Sequence, residues 1–208
     1  MLTPTVPTPA VPPAVPTAGT RSAPPSSTGT MRRFPGRSLA ASADSVWVPL
    51  ASGALVLVAG AMTLATGAPW LFAALGPTAV LIAANPGHRT TRFHTVVLGH
   101  LTALLCGWLA LLLMGAGTTP SLFGTHTIPV ARIWASAAAI AVTTLVQPSL
   151  KAYHPPSAAT ALLITLGAYG TSWKNLGSMV GGVLVVALVG EWLQRVRLAE
   201  TKRAGAAA

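Results

Sequence analysis

Acidic side chains are almost absent from this chain, which has three among its 208 residues: Asp44, Glu191 and Glu200. The sequence therefore offers no pair of carboxylates for general acid–base catalysis or for a hard metal ion. Cys106 is the only cysteine and lies in an apolar run, which argues against a disulfide framework, a zinc cluster or a redox pair. We therefore expect no enzymatic activity, no metal site and no cofactor.

Charge of either sign is also scarce. Charged residues make up 8% of the chain and hydrophobic residues 52%, whereas an ordinary soluble protein has about 25% charged residues. The charged residues between positions 45 and 190 are Arg89, Arg92, Arg132, Lys151 and Lys174. A soluble protein of this length cannot cover its surface with so few charges. The composition predicts an integral membrane protein whose principal partner is the lipid bilayer.

The formal net charge of +10 raises the question of nucleic-acid binding. Nucleic-acid-binding proteins cluster Lys and Arg on one face, with aromatic side chains interleaved. Here the basic residues lie in two tails and in short loops between apolar runs, which is the pattern that the positive-inside rule predicts. We expect no nucleic-acid partner.

Three regions follow from the composition along the chain. Residues 1–40 are rich in Pro, Thr, Ala and Ser and have no apolar periodicity, so they are predicted to form a disordered cytoplasmic tail. Residues 41–197 contain the apolar segments and are predicted to be a transmembrane domain. Residues 198–208 are predicted to be a short basic cytoplasmic tail.

Six apolar segments predict an all-α membrane fold. They span about residues 46–66, 69–85, 93–116, 128–148, 155–169 and 175–194. A helix needs about 20 residues to cross a hydrocarbon core of about 30 Å. The first, third, fourth and sixth segments reach that length. The second and fifth are short, and proline interrupts both near their start.

Basic residues distinguish between four and six crossings. Arg32 and Arg33 in one tail and Arg195 and Arg197 in the other place both termini in the cytoplasm, which requires an even number. Four crossings, with the short segments as re-entrant loops, would leave the basic loop His88–Arg92 outside. Six crossings place this loop inside and leave only Lys174 as an exception, so we expect six crossings, in the plasma membrane.

The two halves of the apolar region resemble each other. Gly76-Pro77-Thr78-Ala79 in the second segment matches Pro155-Pro156-Ser157-Ala158 in the fifth, 79 positions later. Leu98-Gly99 and Leu176-Gly177 are offset by 78 positions in the third and sixth segments. Each half then has three crossings, and an odd number forces the two copies into opposite orientations. The spacing predicts two inverted three-helix repeats, a pattern common among transporters.

Several elements resemble the HPP family of membrane proteins. The run Tyr153–Leu162 is similar to the His-Pro-Pro signature for which that family is named. Leu75–Leu81 resembles its Gly-Ala-Ser/Thr-Ala-Val-Leu stretch, Asn85-Pro86 its loop proline, and Leu98–Leu101 its Gly-His-Leu element. The resemblance implies an integral membrane protein, and it implies a nitrite-transport role of the kind described for plastid and cyanobacterial members.

The chain departs from that family pattern at two places. The loop His88–His94 is basic and rich in histidine where a neutral or acidic loop is expected, and Pro77 stands where alanine is commoner. Either departure can alter substrate preference.

The short segments carry the predicted binding site. Proline fits the first turn of a helix, and the unpaired N–H groups and positive dipole of such a start attract an anion. The predicted substrate-binding residues are Gly76, Pro77, Thr78, His100, His154, Pro155, Pro156 and Ser157. The alternative is that these prolines only start helices that pack tightly.

Two histidines stand at membrane depth. An ionisable residue there is a candidate for substrate contact or proton relay, and this applies to His100 and His154. The alternative is a neutral imidazole bonded to a neighbouring helix. Gly177 and Gly181 form a Gly-x-x-x-Gly pattern that predicts close helix contact and offers a face for a homo-oligomer.

The sequence therefore predicts a transporter or channel for a small solute, with a small inorganic anion such as nitrite as the leading substrate. The alternative is a non-transporting membrane scaffold or sensor. A transporter needs a hydrated path past Thr78 and Ser157, whereas a scaffold tolerates leucine at both positions.

Overall fold

The part of the chain described by the computed structural model, residues 43–170 and 172–206, is helical throughout and contains no strand. The predicted tail 1–40 lies outside the described residues. The helices are α1 (Ala43–Thr66), α2 (Leu75–Ala84), α3 (Phe93–Leu113), α4 (Leu122–Thr125), α5 (Val130–Ser149), α6 (Ala158–Thr165) and α7 (Trp173–Ala206). The prediction of an all-α fold is confirmed for these residues.

Four helices, α1, α3, α5 and α7, are long and apolar enough to cross a membrane. They have 24, 21, 20 and 34 residues, and about 20 residues suffice. They correspond to the first, third, fourth and sixth predicted segments. α7 continues to Ala206, so most of the predicted C-terminal tail is the end of this helix.

The second and fifth segments contain short helices. α2 has 10 residues and α6 has 8, which give lengths of about 15 Å and 12 Å. Pro77 is the third residue of α2, where a missing N–H leaves no helical bond unmade. Pro155 and Pro156 form a 3₁₀ turn that leads into α6.

α1 and α2 run antiparallel. The indole N–H of Trp47, near the start of α1, donates to the carbonyl of Ala83 at the end of α2 at 3.2 Å. The N–H of Leu71, before α2, donates to the hydroxyl of Thr63 near the end of α1 at 3.0 Å. The non-helical residues before α2 therefore lie beside the end of α1, and α2 lies beside its beginning.

α5 runs antiparallel to both α3 and α6. The amide of Gln147, near the end of α5, donates to the carbonyl of Gly99 in the first half of α3 at 3.0 Å. The guanidinium of Arg132, near the start of α5, donates to the carbonyl of Thr165 at the end of α6 at 2.6 Å. Arg132 also donates to two carbonyls of the preceding loop, so this buried cation is held by three carbonyl oxygens.

The two short helices pack against long helices from both halves of the chain. α2 packs against α1 and against α7, which comes from the other half of the chain, and α6 packs against α5 and against α3. α3 and α7 also pack against each other. Small residues make these contacts close, since alanines supply many of the buried core positions. Each short helix therefore lies between a long helix of its own half and one of the other half.

Candidate functional site

His100 is the centre of a buried polar cluster. It is the eighth residue of α3, about 10 Å along the helix axis from Phe93, and only 1% of it is exposed. Its Nε2 lies 2.9 Å from the hydroxyl of Thr78 on α2. Its Nδ1 lies 2.7 Å from the hydroxyl of Thr160 on α6. The two short helices therefore meet at opposite edges of one imidazole ring.

His154 is the second imidazole of the cluster and is fully buried. Its Nε2 lies 3.2 Å from the hydroxyl of Thr78, and its Nδ1 lies 2.8 Å from the backbone carbonyl of Thr90. The ring centroids of His154 and His100 are 5.2 Å apart. Because a carbonyl oxygen can only accept, Nδ1 of His154 carries a proton.

Thr78 joins the two rings. Its hydroxyl lies within hydrogen-bonding distance of both Nε2 atoms and of the carbonyl of Ala74, 2.9 Å away. A hydroxyl has a single proton to donate, so Thr78 can donate to only one of these three atoms at a time and accepts from the others.

Ser157 and Gln147 hold the backbone around His154. The hydroxyl of Ser157 donates to the carbonyl of His154 at 2.7 Å and accepts from the amide of Gln147 at 2.7 Å. The side-chain oxygen Oε1 of Gln147 accepts from the backbone N–H of His154 at 3.3 Å. The polar cluster is hereafter the set Thr78, His100, Gln147, His154, Ser157 and Thr160.

Gly99 allows the His-Pro-Pro turn to approach α3. A Cβ at this position would lie 2.7 Å from the Cβ of His154 and 3.1 Å from the carbonyl oxygen of Ala152. Any larger residue would push His154 away from Thr78. The neighbouring Lys151 takes a left-handed backbone conformation, with φ of 53°, which turns the chain back after α5.

The structure brings together four of the predicted site residues: Thr78, His100, His154 and Ser157. The other four contribute backbone geometry. Pro77 and Pro155 are exposed, whereas Gly76 and Pro156 are half-buried, and they form the helix starts.

Sequence reasoning missed Thr160 and Gln147. The signal for Thr160 is a repeated pentapeptide, Thr-Ala-Val-Leu-Ile at Thr78–Ile82 and Thr-Ala-Leu-Leu-Ile at Thr160–Ile164. The signal for Gln147 is an amide side chain near the end of a mostly apolar segment.

The polar cluster is closed in this structure. The N–H groups of Gly76, Thr78 and Ser157 already donate to carbonyls of their own turns, at 3.3, 3.4 and 3.0 Å. The adjoining cavity, between His100, Thr160, Phe72 and Met179, has a volume of about 10 Å³, which is at most the space of one water molecule. The cluster therefore has no room for a solute larger than water.

The predicted glycine pair is divided between two environments. A Cβ at Gly181 would meet the indole ring of Trp70, whereas a Cβ at Gly177 would meet no atom within 4 Å. Two further glycines of α7 make close contacts, Gly182 against the carbonyl of Trp70 and Gly190 against Ile82. The prediction of close contact within the chain therefore holds for Gly181 and is wrong for Gly177.

Metal ligands are not grouped in the described residues, where no three His, Cys, Asp or Glu side chains lie together.

A family profile described as the HPP transmembrane region matches residues 38–203, which include α1 to α6 and α7 up to its last turn. No curated protein and no solved structure gives a significant match. The matched region contains both short helices, the His-Pro-Pro turn and every member of the polar cluster. With four helices able to cross a membrane and a match over most of its length, the chain belongs to the HPP family of integral membrane proteins.

Proposed function

We propose that this protein moves a small solute across the membrane through the polar cluster, and that the solute is a small inorganic anion such as nitrite. The observation that carries the proposal is the burial of two imidazoles, three hydroxyls and an amide where the short helices of both halves meet. The proposal includes no chemical step.

The cost of this arrangement supports a functional role. Polar and ionisable groups inside a membrane are expensive and occur mainly along solute or proton paths. Short, interrupted helices at corresponding positions are the main sequence pointer to a transporter binding site. Hydroxyl and imidazole N–H groups are donors that can replace the water lost by an anion.

The same proposal includes an inverted repeat, which contacts at a common spacing support. Thr78 and Thr160, 82 positions apart, bond the two nitrogens of His100 from opposite sides. Phe72 and His154, also 82 positions apart, place their rings 6.2 Å and 5.2 Å from the ring of His100. Equivalent residues of the two halves thus surround one imidazole. The spatial partner of Thr78 is Thr160, three positions beyond the Ser157 that the sequence comparison favoured.

The glycine contacts follow the same spacing. A Cβ at Gly99 of α3 would meet the carbonyl oxygen of Ala152, and a Cβ at Gly182 of α7 would meet that of Trp70. Ala152 and Trp70 are 82 positions apart, and the two glycines are 83 apart.

A second pair of contacts is also repeated. A Cβ at Gly107 would lie 3.2 Å from Ile164 of α6, and one at Gly190 would lie 3.0 Å from Ile82 of α2. α3 therefore meets α6 as α7 meets α2. Since α2 is antiparallel to α1 and parallel to α7, and α6 is antiparallel to α5 and parallel to α3, six alternating crossings account for these contacts.

We further propose that both termini and the His88–Arg92 loop face the cytoplasm, with the protein in the plasma membrane. Cysteine at His88, in a Cys106→Ala background, should react with an impermeant maleimide only after the inner face is opened. Cysteine at Thr125, the last residue of α4, should react from outside. Both positions are exposed. Labelling of the His88 position from outside intact cells would contradict six crossings with cytoplasmic ends.

The transport proposal is tested by reconstituting the parent protein into vesicles. Entry of nitrite, nitrate, formate, chloride and one neutral solute is measured against protein-free vesicles. We expect saturable entry of a small anion, nitrite first. If no solute enters faster than in protein-free vesicles, the protein is not a transporter of this class.

The closed state of the cluster favours one competing function. A fully bonded polar cluster can fix a unique helix arrangement without any transport, as a membrane scaffold or sensor requires. In that case, variants of the cluster would lower stability, and the parent protein would carry no solute.

A further inference from the structure

We infer that the polar cluster carries one proton together with each monovalent anion, with His154 as the proton-binding group. This inference rests on the proposed transport function and adds the coupling ion. It starts from a continuous hydrogen-bonded chain: Thr160 to His100, His100 to Thr78, Thr78 to His154, and His154 to the carbonyl of Thr90.

The donor and acceptor roles along this hydrogen-bonded chain follow from its last bond, between His154 and Thr90. The carbonyl of Thr90 accepts a hydrogen bond from Nδ1–H of His154, so Nε2 of a neutral His154 must accept one from the hydroxyl of Thr78. The oxygen of Thr78 then accepts from Nε2–H of His100. Nδ1 of His100 is left to accept from the hydroxyl of Thr160. Every donor has an acceptor, and both rings are neutral.

The hydroxyl of Thr78 has a second acceptor, the carbonyl of Ala74 at 2.9 Å. When it donates there, its oxygen can only accept from both Nε2 atoms. His154 then bears protons on both nitrogens and is an imidazolium. The orientation of one hydroxyl is therefore linked to the charge of His154.

The same hydrogen-bonded chain can relay a proton while every atom keeps its normal valence. A proton that binds Nδ1 of His100 releases the Nε2 proton to the oxygen of Thr78. The hydroxyl proton of Thr78 passes to Nε2 of His154, whose Nδ1 keeps its proton, hydrogen-bonded to the carbonyl of Thr90. One proton has entered: His100 changes tautomer, and His154 becomes the imidazolium. Loss of that proton by the reverse steps, together with release of the anion, restores the first state.

The described side chains that contact the two rings are uncharged, so an imidazolium there has no counter-ion among them. α5 contributes the neutral amide of Gln147, and α6 and α2 contribute hydroxyls. On the α7 side, Met179 and Val183 line the cavity beside His100, and Tyr169 lies behind Phe72 at a ring distance of 6.3 Å.

The basic side chains Arg89, Arg92 and Lys151 are exposed near the loop. Among the described residues, no carboxylate bonds either ring. An entering anion would supply the missing negative charge, so proton and anion stabilise each other in the site.

The coupling is tested with the parent protein in vesicles that contain a pH-sensitive dye. An inward proton gradient should speed nitrite entry, and saturable nitrite entry should acidify the interior beyond protein-free vesicles. Thr78→Val should lower both signals by about tenfold or more, because it removes the bridging hydroxyl, and Thr78→Ser should restore them. Nitrite entry that builds a membrane potential without acidification would overturn the coupling and leave the transport function standing. Absence of entry would overturn the transport function itself.

Nitrogen-15 NMR of the histidines tests the relay without transport or substitution. We expect His154 of the resting protein to carry its proton on Nδ1 and His100 on Nε2. A neutral His154 protonated on Nε2 would contradict the chain and with it the inference.

Discussion

Gly182→Ala should destabilise the protein by about 3 kcal/mol, because one added methyl group has no room. A Cβ at Gly182 would overlap the carbonyl oxygen of Trp70, which is backbone and cannot turn aside as a side chain can. The extended residues before α2 would have to move away from α7. Thermal unfolding in detergent, followed by the loss of monodisperse protein, measures the effect.

Gly177→Ala is the matched control on the same helix. No atom lies within 4 Å of a Cβ at Gly177, and alanine favours a helix over glycine by up to about 1 kcal/mol. This variant should therefore be as stable as the parent or slightly more stable. Equal destabilisation by the two substitutions would show that the contact between Gly182 and Trp70 does not hold the bundle together.

Thr78→Val should reduce nitrite flux by about 10- to 150-fold. Valine has the shape of threonine but lacks the hydroxyl, so both Nε2 atoms lose their shared partner. A hydrogen bond to a charged group contributes about 1.5–3 kcal/mol, and 1.4 kcal/mol corresponds to a tenfold change. Flux per reconstituted molecule is the measurement. Thr160→Val should behave similarly, since Thr160 bonds the other nitrogen of His100.

Thr144→Val on α5 provides the control for these variants. Thr144 is exposed, and its hydroxyl bonds only carbonyls of its own helix, at Ile140 and Ala141. Its flux should equal that of the parent. If folded Thr78→Val also transports like the parent, the solute path lies outside the polar cluster.

Sequence patterns were sufficient for the long helices and for part of the site. Long apolar runs identify α1, α3, α5 and α7 because length and hydropathy alone decide whether a helix can cross a membrane. Thr78 was identified because it follows the proline of a predicted helix start, and His100 because an ionisable side chain at membrane depth is a functional candidate.

The register of the proposed repeat was ambiguous in the sequence, which offers an offset of 79 positions from the proline motifs and one of 82 from the repeated pentapeptide. Spacings of 79 and 82 residues differ by three positions, which is nearly one helical turn. Ser157 and Thr160 therefore lie on similar faces, and only the contacts of His100 distinguish them. Gln147 was missed because its partners, Gly99 and Ser157, become neighbours only in the folded bundle.

The glycines show the same limit. Gly177, Gly181 and Gly182 all lie on α7, and spacing alone does not say which of them meets another segment. The irregular residues before α2 decide it, because the backbone of Trp70 lies against Gly182 and its ring covers Gly181. Of the two glycines suggested for a homo-oligomer, Gly177 is exposed, whereas the ring of Trp70 lies against Gly181.

Nitrite flux through the parent protein and through His154→Ala, measured side by side in vesicles with equal protein content, tests the central claim most directly. His154 is fully buried and joins Thr78 to the loop carbonyl of Thr90, whereas His94 on α3 is exposed and serves as the histidine control. The account predicts saturable flux in the parent and in His94→Ala, and flux at the level of protein-free vesicles in His154→Ala. Equal flux in all three proteins, or none in the parent, would contradict it.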